Sequence, residues 1–221
     1  MLDPTTYAAA DTVGGGITGT SSAYATARAT SNGVAPGAAT MTVGQSLSGS
    51  SHTVARGFLS FPTGSIPADA TIEEVRLEMR ATDANVDTDF SVEVRQHAWG
   101  APLADTREAN YDGCLAAALD GVWSTAAALD PNDPLALSEA LDPTWVAKGG
   151  YGETRYCLLS SRDAAGLAPS GDEAIELAAD DDPNDYPRLI ITYTPPPHIA
   201  YFDGAEIGSS GTGIDLALGE C

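Results

Sequence analysis

The sequence has very little positive charge. It carries 10 lysine and arginine residues against 31 aspartate and glutamate residues, giving a formal net charge of -21 at pH 7, and Lys148 is its only lysine. A surface of this sign repels nucleic acid phosphates and anionic lipid headgroups. We therefore expect neither nucleic acid nor a membrane among the partners. The acidity favours a solubility role for the surface, with divalent-cation binding at acidic loops as the alternative.

Long apolar runs are also missing. No stretch is long enough to span a bilayer, and residues 1–16 lack the basic and apolar regions of a signal peptide. We expect a soluble chain that does not use that secretion route. The 3 cysteines are too widely spaced for a zinc or redox motif. We predict a buried free thiol at Cys157 and an exposed one at Cys221, with an intermolecular disulfide through Cys221 as the alternative.

Short alternating runs of apolar and polar residues dominate the middle of the chain. Between Val54 and Arg80 the pattern predicts a strand, a loop rich in glycine and proline, and a second strand of period two. Further strands are predicted over residues 90–95, 155–161, 173–178 and 188–194, with one short helix over residues 142–149. These elements do not alternate strand with helix, so they predict an all-β fold: an antiparallel β-sandwich of the jelly-roll type.

Three segments are predicted along the chain. Residues 1–50 are an N-terminal arm with a first edge strand, residues 51–195 the sandwich, and residues 196–221 a C-terminal tail too small to fold alone. Within them, Gly14–Gly16 is predicted as a hinge and residues 100–136 as irregular structure with short strands. The residues predicted to lie between the two sheets are Phe58, Phe61, Leu77, Val92, Leu158 and Ile191.

Catalytic and cofactor motifs are missing as well. The sequence has no G-x-S-x-G, no Walker loop and no dinucleotide-binding glycine pattern, so we expect no enzyme. The metal candidate is the turn that carries Asp180, Asp182 and Asp185, because calcium takes clustered hard oxygens. Calcium is thus the one candidate cofactor. A solvated turn is the favoured interpretation, since the EF-hand spacing is lacking.

Three other features allow a functional and a structural interpretation. Trp99, Trp123 and Trp145 would stack on sugars if they shared an exposed face, but closing the sandwich core is the favoured role. Arg162 and Asp163 follow a predicted strand, and we predict that they pair to brace the loop up to Gly171 rather than bind a ligand. His97 is predicted as a surface residue at a strand end.

One stretch resembles a known family. The segment RGFLSFPTGSIPADATIEEVRLEM is similar to disaggregatase-related, DNRLRE-type jelly-roll modules, and about residues 20–195 resemble structural proteins of tailed viruses. Phe61-Pro62 departs from the more common Phe-Asp. The matching positions are Arg28, Arg56, Trp99, Gly100, Ser160, Ser161, Arg162, Asp163, Ala164 and Gly171. These motifs mark a fold rather than a chemistry.

The resemblance implies a function by assembly. It suggests a non-enzymatic structural protein of a virion, as a head decoration, fibre or tail-associated component that acts by surface display. The implied partners are other virion proteins of the capsid or tail, and further copies of the chain in a homo-oligomer. The alternative is a carbohydrate-binding or adhesin module that recognises host surface glycans. We also predict that one or both terminal segments make most of the contacts between subunits.

Overall fold

Two antiparallel sheets form most of the protein. The computed structural model describes residues 5–10, 14–130, 135–179 and 187–196. The strands are β1 (Thr5–Ala9), β2 (Gly15–Ser21), β3 (Gly33–Pro36), β4 (Thr40–Ser48), β5 (Ser51–Pro62), β6 (Thr71–Met79), β7 (Ala81–Asp83), β8 (Ser91–Gln96), β9 (Ala118–Thr125), β10 (Ala136–Leu137), β11 (Glu153–Ser160), β12 (Asp172–Ala178) and β13 (Arg188–Thr194). The helices are α1 (Tyr24–Ala29), α2 (Arg107–Ala116) and α3 (Ser161–Ala164), with 3-10 turns at Ala126–Ala128 and Pro143–Trp145.

The two sheets differ in size. The smaller has four strands in the order β1-β13-β6-β10. The larger has nine: seven follow the order β7-β12-β4-β5-β11-β8-β9, while β2 pairs with β5 and with β3. The ladders between these strands are antiparallel. The predicted all-β antiparallel sandwich is therefore confirmed.

Strand β5 has buried side chains on both faces. Successive side chains of a strand point to opposite faces of the sheet. Leu59 and Phe61 accordingly pack into the inner core, which lies between the two sheets, while Val54 and Phe58 pack into an outer core. The outer core lies on the other face of the nine-stranded sheet, beneath α1 and α2 and the loop after β8. The molecule therefore has a third layer, which the sequence did not predict.

The predicted core residues divide between these two cores. Five of the six are fully buried in the inner core, as predicted: Phe61, Leu77, Val92, Leu158 and Ile191. Phe58 is equally buried, but its place between the sheets was predicted wrongly, because it lies in the outer core. It stands three positions before Phe61, and an odd spacing in a strand puts two side chains on opposite faces.

The N-terminal segment is not an extended arm where the structure describes it. It contributes β1 to the smaller sheet, and β2, β3 and β4 to the larger one. Strand β4 lies between β12 and β5, so its predicted edge position is wrong. The segment buries a few large apolar side chains, such as Ile17 and Met41, and its small residues let neighbouring elements approach closely. A Cβ on Gly19, for example, would lie 2.1 Å from the carbonyl oxygen of Ala27 in α1.

The predicted glycine hinge is also wrong. Gly15 and Gly16 belong to β2 and pair with both β3 and β5. Gly15 has a φ of +146°, and a Cβ there would lie 2.2 Å from the carbonyl oxygen of Ala35. Gly15 therefore allows β2 and β3 to approach closely. The domain boundaries at residues 50 and 195 stay predictions, and the predicted tail lies outside the described residues.

Two local predictions are partly right. Residues 100–136 do contain the short strand β9, but they also form α2, which contains Gly113. A Cβ at Gly113 would lie 2.5 Å from Cε1 of His97, so any larger residue there would displace the imidazole. The helix predicted over residues 142–149 is only the 3-10 turn at Pro143–Trp145. Asp142 caps it as predicted, accepting a hydrogen bond from the backbone N–H of Thr144.

Candidate functional site

A fully buried ion pair lies at the centre of the outer core. Arg56 of β5 donates from Nε to Oδ2 of Asp163 at 2.8 Å and from Nη2 to Oδ1 at 3.1 Å. Its guanidinium carbon lies 3.9 Å from the ring centroid of Tyr111. The same guanidinium donates to the carbonyl oxygen of Tyr111 at 2.7 Å and to that of Arg28 at 3.1 Å. The hydrogen bonds and the ring compensate for removing these charges from water.

Asp163 and Arg56 together join the three helices to the sheet. Besides the bonds from Arg56, Asp163 accepts a hydrogen bond from Nε of Arg28, in α1, at 3.1 Å. Its own N–H donates to Oγ of Ser160 at 3.1 Å, which caps α3. Tyr111 of α2 donates from its hydroxyl to the carbonyl oxygen of Ala27 in α1 at 2.8 Å. The Asp163 carboxylate thus fixes where α1 and α3 meet β5. Arg56 fixes α2 in the same way, through its hydrogen bond to the carbonyl oxygen of Tyr111.

A second carboxylate anchors the loop after α3. Glu173 accepts hydrogen bonds from Nε2 of Gln45 at 2.9 Å, Nε of Arg162 at 2.6 Å and the N–H of Ser170 at 3.1 Å. Burial alone raises the pKa of the Glu173 carboxyl, but these hydrogen bonds outweigh burial and lower the pKa below its usual value. The predicted Arg162–Asp163 pair is wrong, since each residue pairs elsewhere. Arg162 nevertheless braces the predicted loop, through Glu173.

A disulfide bond joins α2 to β11. It links Cys114 and Cys157, which are 43 positions apart in the sequence and fully buried in the outer core. The prediction of a free thiol at Cys157 is therefore wrong. Period-two patterning reveals a strand such as β11, but it does not indicate which distant helix crosses it. Cys221 lies outside the described residues.

The positions of the sequence resemblance have structural roles. Arg28, Arg56 and Asp163 form the buried network. Trp99 donates from Nε1 to the carbonyl oxygens of Leu59 and Tyr156 at 3.2 and 3.1 Å. The polar groups of these side chains form hydrogen bonds within the protein. This agrees with the prediction that the resembling motifs mark a fold rather than a chemistry. Sequence reasoning missed that they lie together, because Asp163 is 107 positions from Arg56 and 135 from Arg28.

Trp145 differs from the other two tryptophans. Trp99 and Trp123 are 1% and 3% exposed. Trp123 packs in the inner core, as predicted, whereas Trp99 packs in the outer core, so its predicted place in the sandwich core is wrong. Trp145 is half-buried and donates from Nε1 to the carbonyl oxygen of Arg155 at 2.9 Å. It lines an opening of about 380 Å³, which we call the Trp145 groove. Its lining residues are Ala98, Trp145, Ala147, Glu153 and Arg155.

Charged groups of both signs line the Trp145 groove. Nη2 of Arg155 donates to the carboxylate of Glu153, and Nη1 donates to the carbonyl oxygen of Trp99 at 2.6 Å. The guanidinium carbon lies 4.8 Å from the ring centroid of Trp99. The side chains of Arg155 and Glu153 are still 23% and 39% exposed. Unlike the Arg56–Asp163 pair, this ion pair keeps atoms that a ligand can reach.

His97 is not the predicted surface residue. It follows β8, is half-buried, and packs edge-on against Phe58 with ring centroids 6.3 Å apart. Its Nε2 is buried without a hydrogen-bond partner. Burial lowers the pKa of the His97 imidazole below its ordinary value, against a smaller opposing effect from the backbone of Asn110. The ring therefore stays neutral near pH 7.

The calcium candidates Asp180, Asp182 and Asp185 lie outside the described residues, so the calcium site stays a prediction. Within the ranges that the structure describes, no three histidine, cysteine, aspartate or glutamate side chains converge on one point where a cation fits. The helices in those same ranges are too short or too polar to cross a bilayer.

Comparisons with known proteins add no family. No protein-family model matches this chain, and no curated protein matches it either. The resemblance to jelly-roll modules of tailed viruses therefore stays a prediction from the sequence. Two features stand out in the described residues: the buried network, whose polar groups bind internal partners, and the Trp145 groove, which presents reachable aromatic and charged groups.

Proposed function

We propose that this protein is a non-enzymatic structural protein of a tailed-virus particle, acting by assembly and surface display as a head decoration, fibre or tail-associated component. The observation that carries this proposal is the buried disulfide between Cys114 and Cys157. Disulfides persist in extracellular proteins and on virion surfaces, and they are rare in reducing cytoplasm. A protein displayed outside the cell is therefore consistent with this bond.

The buried network also supports a structural role. Arg56 and Asp163 bind each other and the backbone of α1 and α2, so their charges serve to fix the outer layer. Arg56 and Asp163 are both among the positions at which the sequence resembles structural proteins of tailed viruses. The acidic surface, with its net charge of -21, keeps such a protein away from packaged nucleic acid.

The proposed partners are capsid or tail proteins and further copies of this chain. Residues 197–221 are the proposed attachment segment, because their apolar side chains are unsuited to water. These side chains are Ile199, Tyr201, Phe202, Ile207, Ile214, Leu216 and Leu218. The N-terminal segment is no longer part of this proposal where it forms β1 and β2, because those strands are committed to the two sheets.

Mass spectrometry of purified particles tests the proposal. Particles banded from a virus that encodes this chain should contain it in a fixed ratio to the capsid or tail proteins. A virus whose copy ends after Pro196 should make particles that lack the protein. The proposal is wrong if the full-length chain is absent from intact particles. Full occupancy by the shortened chain would exclude the C-terminal segment as the attachment.

A second candidate function is recognition of host surface glycans. The observation that favours it is the Trp145 groove, where a half-buried indole lies beside the reachable ion pair of Glu153 and Arg155. Sites that bind small ligands combine an aromatic or apolar wall with a few placed polar groups. The two functions are compatible, since an assembled particle displays its outer proteins to the host.

A further inference from the structure

We infer that the Trp145 groove binds a neutral saccharide, stacking a pyranose ring on Trp145 and holding its hydroxyls with Glu153 and Arg155. This inference rests on the second candidate function and assigns that function a site and a ligand class. The groove measures about 380 Å³, which lies in the lower part of the range of about 300–1,000 Å³ for small-molecule sites. One or two sugar rings are suited to a groove of this size.

The aromatic wall is held in place before any ligand arrives. The indole N–H of Trp145 is committed to the carbonyl oxygen of Arg155 at 2.9 Å, and the ring packs on the inner core. The 3-10 turn that carries Trp145 is capped by Asp142. An indole fixed in this way offers apolar surface to the C–H groups of a pyranose at little cost in side-chain entropy.

The polar wall presents an acceptor next to a donor. Glu153 and Arg155 are two residues apart on β11, so their side chains lie on the same face. Arg155 is positioned by Trp99, through a hydrogen bond to its carbonyl oxygen and by stacking on its ring. A carboxylate accepts hydrogen bonds and a guanidinium donates them. Neighbouring hydroxyls of a sugar can do both, so a vicinal diol matches this pair.

The charge balance selects a neutral sugar. The guanidinium and the carboxylate cancel locally, leaving no surplus positive charge for a sialic acid or a sulfated sugar. The whole chain carries a net charge of -21, which repels anionic glycans at longer range. Neutral hexoses and N-acetylhexosamines avoid this repulsion and keep the diol. We therefore expect discrimination against sialylated versions of the same glycans.

The experiment uses a glycan array and then titrations with the full-length chain. The array carries neutral glycans and their sialylated counterparts. The strongest neutral ligand is then titrated by calorimetry against the native protein and against Glu153→Gln, Trp145→Ala and Tyr7→Ala. Tyr7 is the matched control, because it is an aromatic residue 61% exposed on β1, outside the groove. Circular dichroism and thermal melting check that each variant is folded.

The inference expects neutral glycans to be retained and sialylated ones to be rejected. Glu153→Gln should weaken binding about tenfold or more, since it removes a charged acceptor. Trp145→Ala should abolish binding, and Tyr7→Ala should leave the affinity unchanged. Should Trp145→Ala fail to fold, Glu153→Gln decides the matter, because its partly exposed side chain can change without opening the core.

The contrary outcomes separate the hypotheses. An array without signal overturns both this inference and the second candidate function. Retention of glycans with unchanged affinity in Glu153→Gln and Trp145→Ala overturns the groove, while glycan recognition survives at another site. Retention of sialylated glycans alone overturns the neutral ligand class. None of these results bears on the particle composition that tests the assembly proposal.

Discussion

The two faces of the nine-stranded sheet are stabilised by different chemistry. The inner core is filled by apolar side chains from both sheets, such as Phe61 and Leu77. The outer core contains apolar side chains too, but a buried ion pair and a disulfide cross it. In an apolar core, the stability lost by truncating a side chain grows with the volume that is removed. In a buried ion pair, removing one partner costs more than its volume predicts, because the other charge stays buried without compensation.

This difference shows how short helices are held. Helices α1 and α3 have 6 and 4 residues, too short to be stable alone. Specific hydrogen bonds to Asp163 and Arg56 position them instead. The outer layer therefore depends on few residues of high individual importance, whereas the inner core spreads its stabilisation over many.

The largest effect is expected at Asp163. Asp163→Ala should lower the free energy of unfolding by about 5 kcal/mol, because it leaves the guanidinium of Arg56 buried without a counter-ion. Chemical denaturation measures this loss. The control is Glu74→Ala, which breaks the exposed pair with Arg76 at 2.7 Å and should cost about 0.5 kcal/mol or less. Similar losses in the two variants would break the comparison.

The inner core provides the next test. Phe61→Ala should lower the free energy of unfolding by about 4 kcal/mol, through lost apolar burial and the cavity that remains. Phe61→Leu should restore most of that loss, since a smaller void is left. Denaturation of both variants shows whether the inner core responds to volume. Wild-type stability of Phe61→Ala would contradict the assignment of this side chain to the core.

Removing the disulfide should have a smaller effect. A protein with both Cys114→Ala and Cys157→Ala should lose about 3 kcal/mol, mainly because its unfolded state becomes less restricted. Its far-ultraviolet circular dichroism should stay that of a β protein, because the inner core does not use this bond. Whether the bond forms can be checked directly by denaturing the wild-type protein without reductant and alkylating its free thiols. If both residues are labelled, the bond does not form and this prediction fails.

The smallest expected effect concerns His97. Burial lowers the pKa of its imidazole from the ordinary value of 6.5, so the unfolded chain takes up this proton at a higher pH than the folded chain does. The folded state is therefore destabilised as the pH falls below about 6.5, and it regains that stability as the pH rises.

Melting temperatures at pH 7 and pH 5 measure this contribution. The drop between the two conditions should be smaller in His97→Asn than in the native protein, since asparagine does not titrate. The difference between the two drops isolates His97 from the many carboxylates of the chain. An equal drop in both proteins would show that the outer core does not sense this proton.

Sequence patterns predicted the inner core well. Strand β13 has the predicted bounds of residues 188–194, and the alternation of Val75, Leu77 and Met79 identified the buried face of β6. Period two is a local property, so it can be read without knowing the partner strand. It also revealed β8, β11 and β12 within a few residues.

The outer layer could not be predicted in the same way. Arg56 looks like any charged residue in a strand until Asp163 is placed beside it, 107 positions away. Cys114 shares no local pattern with Cys157. The spacing of Trp99, Trp123 and Trp145 in the sequence also does not indicate which of them is exposed. Trp145 could therefore not be identified as a groove residue rather than a core residue. Each of these features depends on contacts between distant segments, which no single-sequence pattern encodes.

The pairing of β1 with β13 gives the molecule a mechanical weak point. Thr5 lies opposite Thr192, so the first residues of β1 and the last residues of β13 are at the same end of the ladder. A force that pulls these two ends apart loads the hydrogen bonds of that ladder one pair after another, rather than all together. Strand β1 should therefore peel away at low force. If the protein were anchored at both of these strand ends, tension between the anchors would load the β1–β13 ladder first.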